Sequence, residues 1–158
     1  MAITRTGKAK ELFEKEVKLP FEEHEKRIAG FSEVIKLLPD DDESYHNRSF
    51  HYLSIGQLDE ALADINKAIS LNPVYTHYSC RWDIYFQLGD VEKATADLQN
   101  ALKLAPEKAA VSYYSFAESL RGVIFDDDQA AVYYKKAIET GNDYWSKEAQ
   151  KALDKLGK

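Results

Sequence analysis

One segment of this chain occurs twice in succession, and this internal repeat restricts the fold more than any other feature of the sequence. When Tyr45–Pro73 is shifted forward by 33 residues it aligns with Tyr78–Pro106, and ten of the aligned positions are identical. Periods of this length are typical of architectures in which each unit packs mainly against its neighbours. The identical pairs are Tyr45/Tyr78, Arg48/Arg81, Tyr52/Tyr85, Gly56/Gly89, Ala61/Ala94, Ala63/Ala96, Asp64/Asp97, Ala68/Ala101, Leu71/Leu104 and Pro73/Pro106.

Each copy of the repeat is predicted to form two helices. In the first copy, Tyr45, Ser49 and Tyr52 have the spacing of one helix face. Gly56 follows where that helix must end, because glycine readily adopts the left-handed conformation of a helix C-terminus. Pro73 then closes the second helix. The apolar side of this second helix consists of Leu58, Ala61, Ile65, Ala68 and Ile69.

The repeat continues in altered form on both sides of the two best copies. A third copy aligns Tyr78 with Tyr114 after a shift of 36 residues, and Phe125 stands where the earlier copies have glycine. Upstream, residues 1–39 are predicted to be degenerate leading helices, with a charged helix over about residues 8–18 interrupted by Pro20. Downstream, Asp143–Leu156 is amphipathic and is predicted to be a helix that caps the open apolar end of the array.

The order of aromatic, glycine, alanine and proline positions in these units resembles the tetratricopeptide repeat. The similarity is strongest in GQLDEALADINKAISLNP and GDVEKATADLQNALKLAP, and it departs from the family at Ser49 and Trp82. The resemblance implies an all-α fold, a right-handed solenoid of helical hairpins with about three repeats. We therefore expect a single domain over residues 1–158, divided into leading helices (1–39), repeats at 42–73, 75–106 and 109–142, and a capping helix (143–158).

A charged pair recurs inside the two best copies. Arg48 precedes Asp64 by 16 residues, and Arg81 precedes Asp97 by the same distance. In an antiparallel helix pair these positions can meet, so two structural ion pairs within the repeats are predicted. In the third copy the aligned residues are Ala117 and Tyr133, where both charges are absent.

The first helix of each unit has a second face that does not match between copies. By resemblance to the family, these faces line a concave groove that takes a peptide or a partner helix. Such a groove would be polar and mildly acidic with aromatic residues, so a basic or polar–aromatic protein or peptide is the expected partner. The groove candidates are Glu43, His46, Asn47, Phe50, Ser54, Ser79, Cys80, Asp83, Gln87, Ser112, Phe116 and Ser119.

Some family members bind chaperone tails through a clamp for a C-terminal carboxylate. With Asn47 as the central asparagine of that clamp, the other positions hold Leu12, Glu16, Thr76 and Cys80. In the alternative register they hold His46, Phe50, Cys80, Ser112 and Phe116. Both sets lack the cationic residues of the clamp, so binding of this chaperone type is not supported.

The motifs of catalysis and metal binding are not found in the sequence. There is no glycine-rich phosphate loop, no His-Glu-x-x-His and no pair of cysteines. His46 and His51 are predicted to point to different helix faces, His24 to be solvated, and His77 to be structural or exposed. The acidic runs at 40–43 and 126–128 lack the pattern of a calcium loop and are interpreted as helix N-caps. We therefore expect no catalytic residue, no metal and no cofactor.

Composition agrees with an interaction module. A net charge of −6 and a pI near 5.3 disfavour nucleic acid as a partner. No secretory signal and no apolar run of about 20 residues are present, so a cytoplasmic protein without membrane insertion is expected. The expected function is a non-catalytic protein-binding scaffold. A self-associating structural module and a regulatory partner of an enzyme remain as alternatives.

Overall fold

The computed structural model describes residues 4–158, and every regular element in that range is helical. The all-α class predicted from the sequence is therefore confirmed. A short 3-10 turn (Pro106–Lys108) precedes α7, and a π-helical turn (Leu120–Ile124) follows it. The main helices are α1 (Gly7–Glu16), α2 (His24–Leu37), α3 (Asp42–Ser54), α4 (Leu58–Leu71), α5 (Tyr75–Gln87), α6 (Val91–Leu104), α7 (Ala109–Ser119), α8 (Asp127–Glu139) and α9 (Asp143–Leu156).

The chain forms two compact units, of which the first ends at Ile84. In this unit α1 packs on α2, α2 on α3, and α3 on α4. Ala61 and Ala68 of α4 are fully buried, and the large rings of Tyr45 and Tyr52 pack against the same cluster. Ser49, which departs from the family pattern, donates a hydrogen bond from Oγ to the carbonyl oxygen of Ala61 at 2.7 Å. The core contains Ala61, Ile65, Ala68, Cys80 and Ile84, surrounded by Tyr45, Tyr52, Leu53, Leu62 and Ile69.

The second unit begins at Tyr85 and is closed by α9. Here α7 pairs with α8, and α9 packs against both. Trp145 at the start of α9 lies 5.1 Å from Tyr114, measured between ring centroids, and Tyr134 is fully buried. The helix predicted over Asp143–Leu156 is present with these bounds, and it buries Ala149, Ala152 and Leu153.

The turns between paired helices adopt the left-handed backbone conformation. Gly56 has a φ angle of 76° and Gly89 has 75°, as expected for glycines that end a first helix. Phe125 has a φ angle of 62° at the aligned place, which is unfavourable for a residue with a side chain. Asp126 caps α8 by accepting a hydrogen bond from the backbone N–H of Gln129 at 2.8 Å.

None of the helices within residues 4–158 combines the length and the apolar character needed to cross a membrane.

Candidate functional site

Five of the predicted groove residues form a stripe along α3. Glu43, His46, Asn47, Phe50 and Ser54 follow the spacing of one helix face, and Phe50 is 38% exposed. The amide of Asn47 donates to the carbonyl oxygen of Glu43 at 2.7 Å. This local bond holds the amide of Asn47 against its own helix. The stripe as a whole presents both polar and aromatic groups.

A neighbouring aromatic side chain enlarges this stripe. Phe21 is 52% exposed and meets Phe50 edge to face, with the ring centroids 5.6 Å apart. Sequence reasoning missed Phe21 because it lies in the irregular segment between α1 and α2, outside the repeat. The signal available in the sequence was an aromatic residue directly after Pro20.

Arg5 partly neutralises the negative charge of the stripe. Its guanidinium donates to the Glu43 carboxylate at 2.8 Å and to Asp41 at 2.6 and 2.9 Å. The acidic run at 40–43 was predicted to cap a helix, and Asp41 does occupy the N-cap position of α3, but its side chain makes no capping hydrogen bond. The carboxylate turns instead to Arg5 and to the Ser44 hydroxyl. These partners are far from Asp41 or inside the helix, so no local pattern indicates them.

The stripe continues on α5, with one change. Ser79 is half-buried and Asp83 is exposed, whereas Cys80 is turned inward and is only 6% exposed. The Sγ of Cys80 lies 4.0 Å from the Oγ of Ser49. Burial, with a smaller contribution from Asp83, raises the pKa of the Cys80 thiol to about 12. Cys80 therefore supports the packing of α5 on α3 and offers neither a surface group nor a nucleophile.

In the second unit, two predicted groove residues are part of the core. Ser112 and Phe116 are fully buried, which corrects their expected placement on an open face. Phe116 contacts Phe86 and Tyr133, with centroid distances of 4.7 and 4.6 Å. Gln87 is exposed and Ser119 is half-buried. Phe116 is buried because its large apolar ring is more stable in the core than in water.

The aligned positions of the three first helices explain this outcome. Asn47, Cys80 and Phe116 occupy one repeat position, and their side chains are half-buried, buried and fully buried. This position therefore lies at the border of the core, and the polarity of the side chain decides whether it points inward or towards solvent. The aligned position of Phe50, Asp83 and Ser119 stays accessible to solvent in all three helices.

Arg48 and Asp64 form a two-pronged ion pair inside the first repeat. The Nε of Arg48 donates to Oδ2 of Asp64 at 2.6 Å, and a terminal nitrogen donates to Oδ1 at 2.8 Å. A third bond reaches the Ser32 hydroxyl at 2.9 Å, and the hydrogen bonds that Arg48 donates to Asp64 raise the pKa of Arg48. The pairing of Arg81 with Asp97 stays a prediction. Arg81 donates to the side chain of Asn66 at 2.7 Å.

Two histidines meet where α2 packs on α3. The Nδ1 atoms of His24 and His51 are 3.0 Å apart, and the Arg27 guanidinium is 3.5 Å from Nε2 of His51. The prediction that His24 is solvated is wrong, because its ring packs against His51 and Phe21. Burial, followed by the charges of Arg27 and His24, lowers the pKa of His51 to about 4.

A second histidine pair joins α3 to α5. The rings of His46 and His77 are 5.1 Å apart, and His77 is 2% exposed. Nδ1 of His77 donates to the carbonyl oxygen of Asn72 at 2.8 Å, while Nε2 lies 3.6 Å from the Asp42 carboxylate. Burial lowers the pKa of His46 to about 4, with His77 as the next cause. These contacts give His77 a structural role and fix α3 beside α5.

The two histidine pairs do not form a metal centre with their neighbours. Across residues 4–158, no group of three histidine, cysteine or acidic side chains is arranged to hold a metal ion. What the described surface offers is a polar and aromatic face suited to contact with another molecule. We call the exposed and half-buried residues of this face the first-helix face, consisting of Glu43, His46, Asn47, Phe50, Ser54, Ser79 and Asp83.

Comparison with known proteins agrees with the repeat. Two segments of the chain, residues 42–75 and 83–108, match the tetratricopeptide repeat family. The resemblance inferred from the sequence is therefore confirmed for these two repeats. Among curated proteins, none matches the chain in sequence.

Several solved structures have a fold similar to that of this chain. The structure of MamA is 19% identical over 98% of this chain and 87% of its own, with a TM-score of 0.66. YrrB, described as a TPR protein with an unusual peptide-binding site, is 17% identical over 92% of this chain and 81% of its own, with a TM-score of 0.61. An O-GlcNAc transferase of Thermobaculum terrenum reaches a TM-score of 0.70 at 16% identity, and the match covers 91% of this chain but 27% of the transferase.

Proposed function

Because tetratricopeptide repeats form the central part of this chain, we propose that the protein is a non-catalytic scaffold that binds a protein or peptide through the first-helix face. The observation that carries this proposal is the exposed aromatic pair of Phe50 and Phe21 beside polar side chains that vary between the repeats. Aromatic groups of this kind supply much of the binding energy at protein interfaces. The peptide-binding site described for YrrB supports the same use of a similar fold.

The neighbouring first helices provide a continuous support for this face. Ser49 of α3 contacts Cys80 of α5, and His46 contacts His77. The two helices therefore lie side by side, and Phe50 and Asp83 occupy equivalent positions on them. A ligand lying across both helices would meet the ring first and the carboxylate next.

The charges on the face favour a basic partner. Asp83 is exposed, and Glu43 keeps a side-chain exposure of 57% although Arg5 pairs with it. Exposed carboxylates attract lysine and arginine at low ionic strength and less strongly as salt screens them. We therefore expect a segment that combines basic and aromatic residues.

A random peptide library displayed on phage tests this proposal. We expect the enriched peptides to contain lysine or arginine together with aromatic residues, and to bind more weakly as salt rises. A variant with Asn47→Ala, Phe50→Ala and Asp83→Ala should bind these peptides at least about tenfold more weakly, which corresponds to about 1.4 kcal/mol.

The matched control alters three exposed residues of α4, with Asp59→Ala, Lys67→Ala and Ser70→Ala, and should retain full affinity. Equal binding by both triple variants would show that the first-helix face is not the site. Enrichment of acidic peptides would contradict the expected partner chemistry and leave the site itself intact.

A further inference from the structure

A groove between α1 and α2 lies apart from the first-helix face and has a volume of about 400 Å³. Leu12, Leu19 and Ala29 supply its apolar lining, and Glu16 and Gly30 line it as well. Such a groove has the size of a site for a single side chain or small ligand. None of the residues of the first-helix face lines it.

The carboxylate of Glu16 is the unusual group in this groove. Glu16 is only 3% exposed, and within residues 4–158 its carboxylate accepts no hydrogen bond. Its nearest cation is the Nζ of Lys15 at 3.8 Å, beyond hydrogen-bonding distance, on a side chain that is 70% exposed. Buried carboxylates are normally hydrogen-bonded, because removing them from water is costly. This carboxylate therefore presents an acceptor that a ligand can satisfy.

Gly30 creates the space in which the carboxylate lies. A Cβ atom on residue 30 would lie 2.0 Å from Cδ of Glu16, far inside van der Waals contact. Any residue other than glycine would displace the carboxylate from the groove. The pairing of Glu16 with Gly30 thus builds the site, although the two residues belong to different helices.

Other charged residues around the groove pair with one another and not with Glu16. Lys26 forms an ion pair with Glu23 at 2.8 Å, and Glu33 forms one with Lys36 at 2.6 Å. These pairs occupy the other charges near the groove and leave Lys15, which is largely exposed and 3.8 Å away, as the cation beside the Glu16 carboxylate. A cation that enters the groove would gain charge-assisted hydrogen bonds from it.

We propose that this groove receives a lysine or arginine side chain from a protein partner. The alkyl stem would pack on Leu12, Leu19 and Ala29, and the cationic end would donate to the Glu16 carboxylate. Long basic side chains combine an apolar stem with a charged tip, and this matches a groove lined by leucine and alanine together with a buried carboxylate. The site shares no residue with the first-helix face, so the two proposals are tested separately.

The test uses the full chain and a single-residue probe, Nα-acetyl-lysine N-methylamide, with the equivalent arginine amide in parallel. The methyl signals of Leu12 and Leu19 in NMR spectra should shift in a saturable way at constant ionic strength. The Nε-acetylated lysine amide, which lacks the charge, should not produce these shifts.

Glu16→Gln should weaken binding of the probe at least tenfold while leaving the circular dichroism spectrum unchanged. The control is Glu14→Gln on the same helix, with a side chain that is 52% exposed, and it should bind within twofold of the parent protein. Gly30→Ala offers a second route, because it displaces the carboxylate from the opposite wall and should also abolish binding.

Three results would overturn the proposal. The first is unchanged binding by Glu16→Gln, and the second is the absence of saturable shifts at Leu12 and Leu19 with both probes. The third is tighter binding of 1,5-diaminopentane than of the lysine and arginine amides, which would identify a free amine as the ligand in place of a protein side chain.

Discussion

The hairpin of α3 and α4 and the hairpin of α7 and α8 are aligned in the repeat, but different interactions hold them together. In the first, Arg48 joins Asp64 through two hydrogen bonds of 2.6 and 2.8 Å. In the second, the aligned residues are Ala117 and Tyr133, and the ring of Tyr133 packs 4.6 Å from that of Phe116. An ion pair in one hairpin is thus replaced by aromatic packing in the other, as buried ion pairs and apolar groups of similar volume can stabilise a fold comparably.

The same two hairpins differ in their turns. Gly56 ends α3 in the left-handed conformation, where glycine carries no side chain to clash. Phe125 adopts the same conformation after a π-helical turn, and its ring is 82% exposed. The α7–α8 hairpin therefore keeps the repeat geometry with a residue that disfavours it. This difference means that the repeat geometry is imposed by packing of the helices, with the turn residue adapting to it.

Breaking the ion pair should give the largest effect. Asp64→Ala leaves the guanidinium of Arg48, whose side chain is 18% exposed, without its carboxylate partner. Loss of one member of a buried pair costs about 3–5 kcal/mol. We expect a loss of this size in the free energy of unfolding, measured by urea denaturation.

The control for this prediction is Asp59→Ala, which removes an exposed carboxylate from the first turn of the same helix. It should change stability by less than about 1 kcal/mol. Equal unfolding midpoints for the two variants would show that the ion pair does not stabilise the fold. The α3–α4 hairpin would then depend on apolar packing as the α7–α8 hairpin does.

Acidification should affect the first hairpin more than the second, because all four histidines, at positions 24, 46, 51 and 77, precede the second unit. The pKa values of His46 and His51 in the folded protein are lowered to about 4 from 6.5. The unfolded chain therefore binds more protons between these values. Stability present above pH 6.5 is lost as the pH falls towards 4, by roughly 1–2 kcal/mol per histidine at pH 5.

Hydrogen exchange at pH 7 and pH 5, corrected for intrinsic rates, measures this difference. Amide protection in α2, α3 and α4 should fall more than protection in α8 and α9. His51→Phe places an apolar ring among Phe21, Phe31 and Phe50 and should remove part of the pH dependence. An equal loss of protection in both regions would assign the acid sensitivity to groups other than the histidines.

The comparison also indicates how far the sequence alone could lead. The repeat register predicted the helical hairpins, the ends of first helices at Gly56 and Gly89, and the meeting of Arg48 with Asp64. These features depend on spacing within one unit of the repeat, which the chain displays twice. The helix at Asp143–Leu156 was also predictable, because its apolar residues follow the helical period.

What could not be predicted depends on contacts that the repeat does not encode. Arg5 reaches Asp41 across 36 residues, His24 meets His51 across 27, and Glu16 lies over Gly30 from another helix. All three involve the degenerate leading helices, where no second copy displays the pattern. The burial of Cys80 and Phe116 was missed for another reason. Their repeat position lies at the border of the core. Whether a side chain there points inward or towards solvent depends on its polarity and not on its spacing in the sequence.

Substitution of Phe125 should give the smallest change in stability, and it compares the turns of the two hairpins most directly. Phe125→Gly should stabilise the protein by about 1 kcal/mol, because glycine adopts the left-handed conformation without the steric cost borne by other residues. For a chain of this size this corresponds to a rise in the melting temperature of about 2–4 °C. Phe125→Ala removes the exposed ring but keeps a Cβ, so it separates backbone strain from exposure of the ring. We expect the alanine variant to melt near the parent protein. If both variants raised the melting temperature equally, the cost at this turn would lie in the exposed aromatic surface, and the backbone difference between Gly56 and Phe125 would have no energetic consequence.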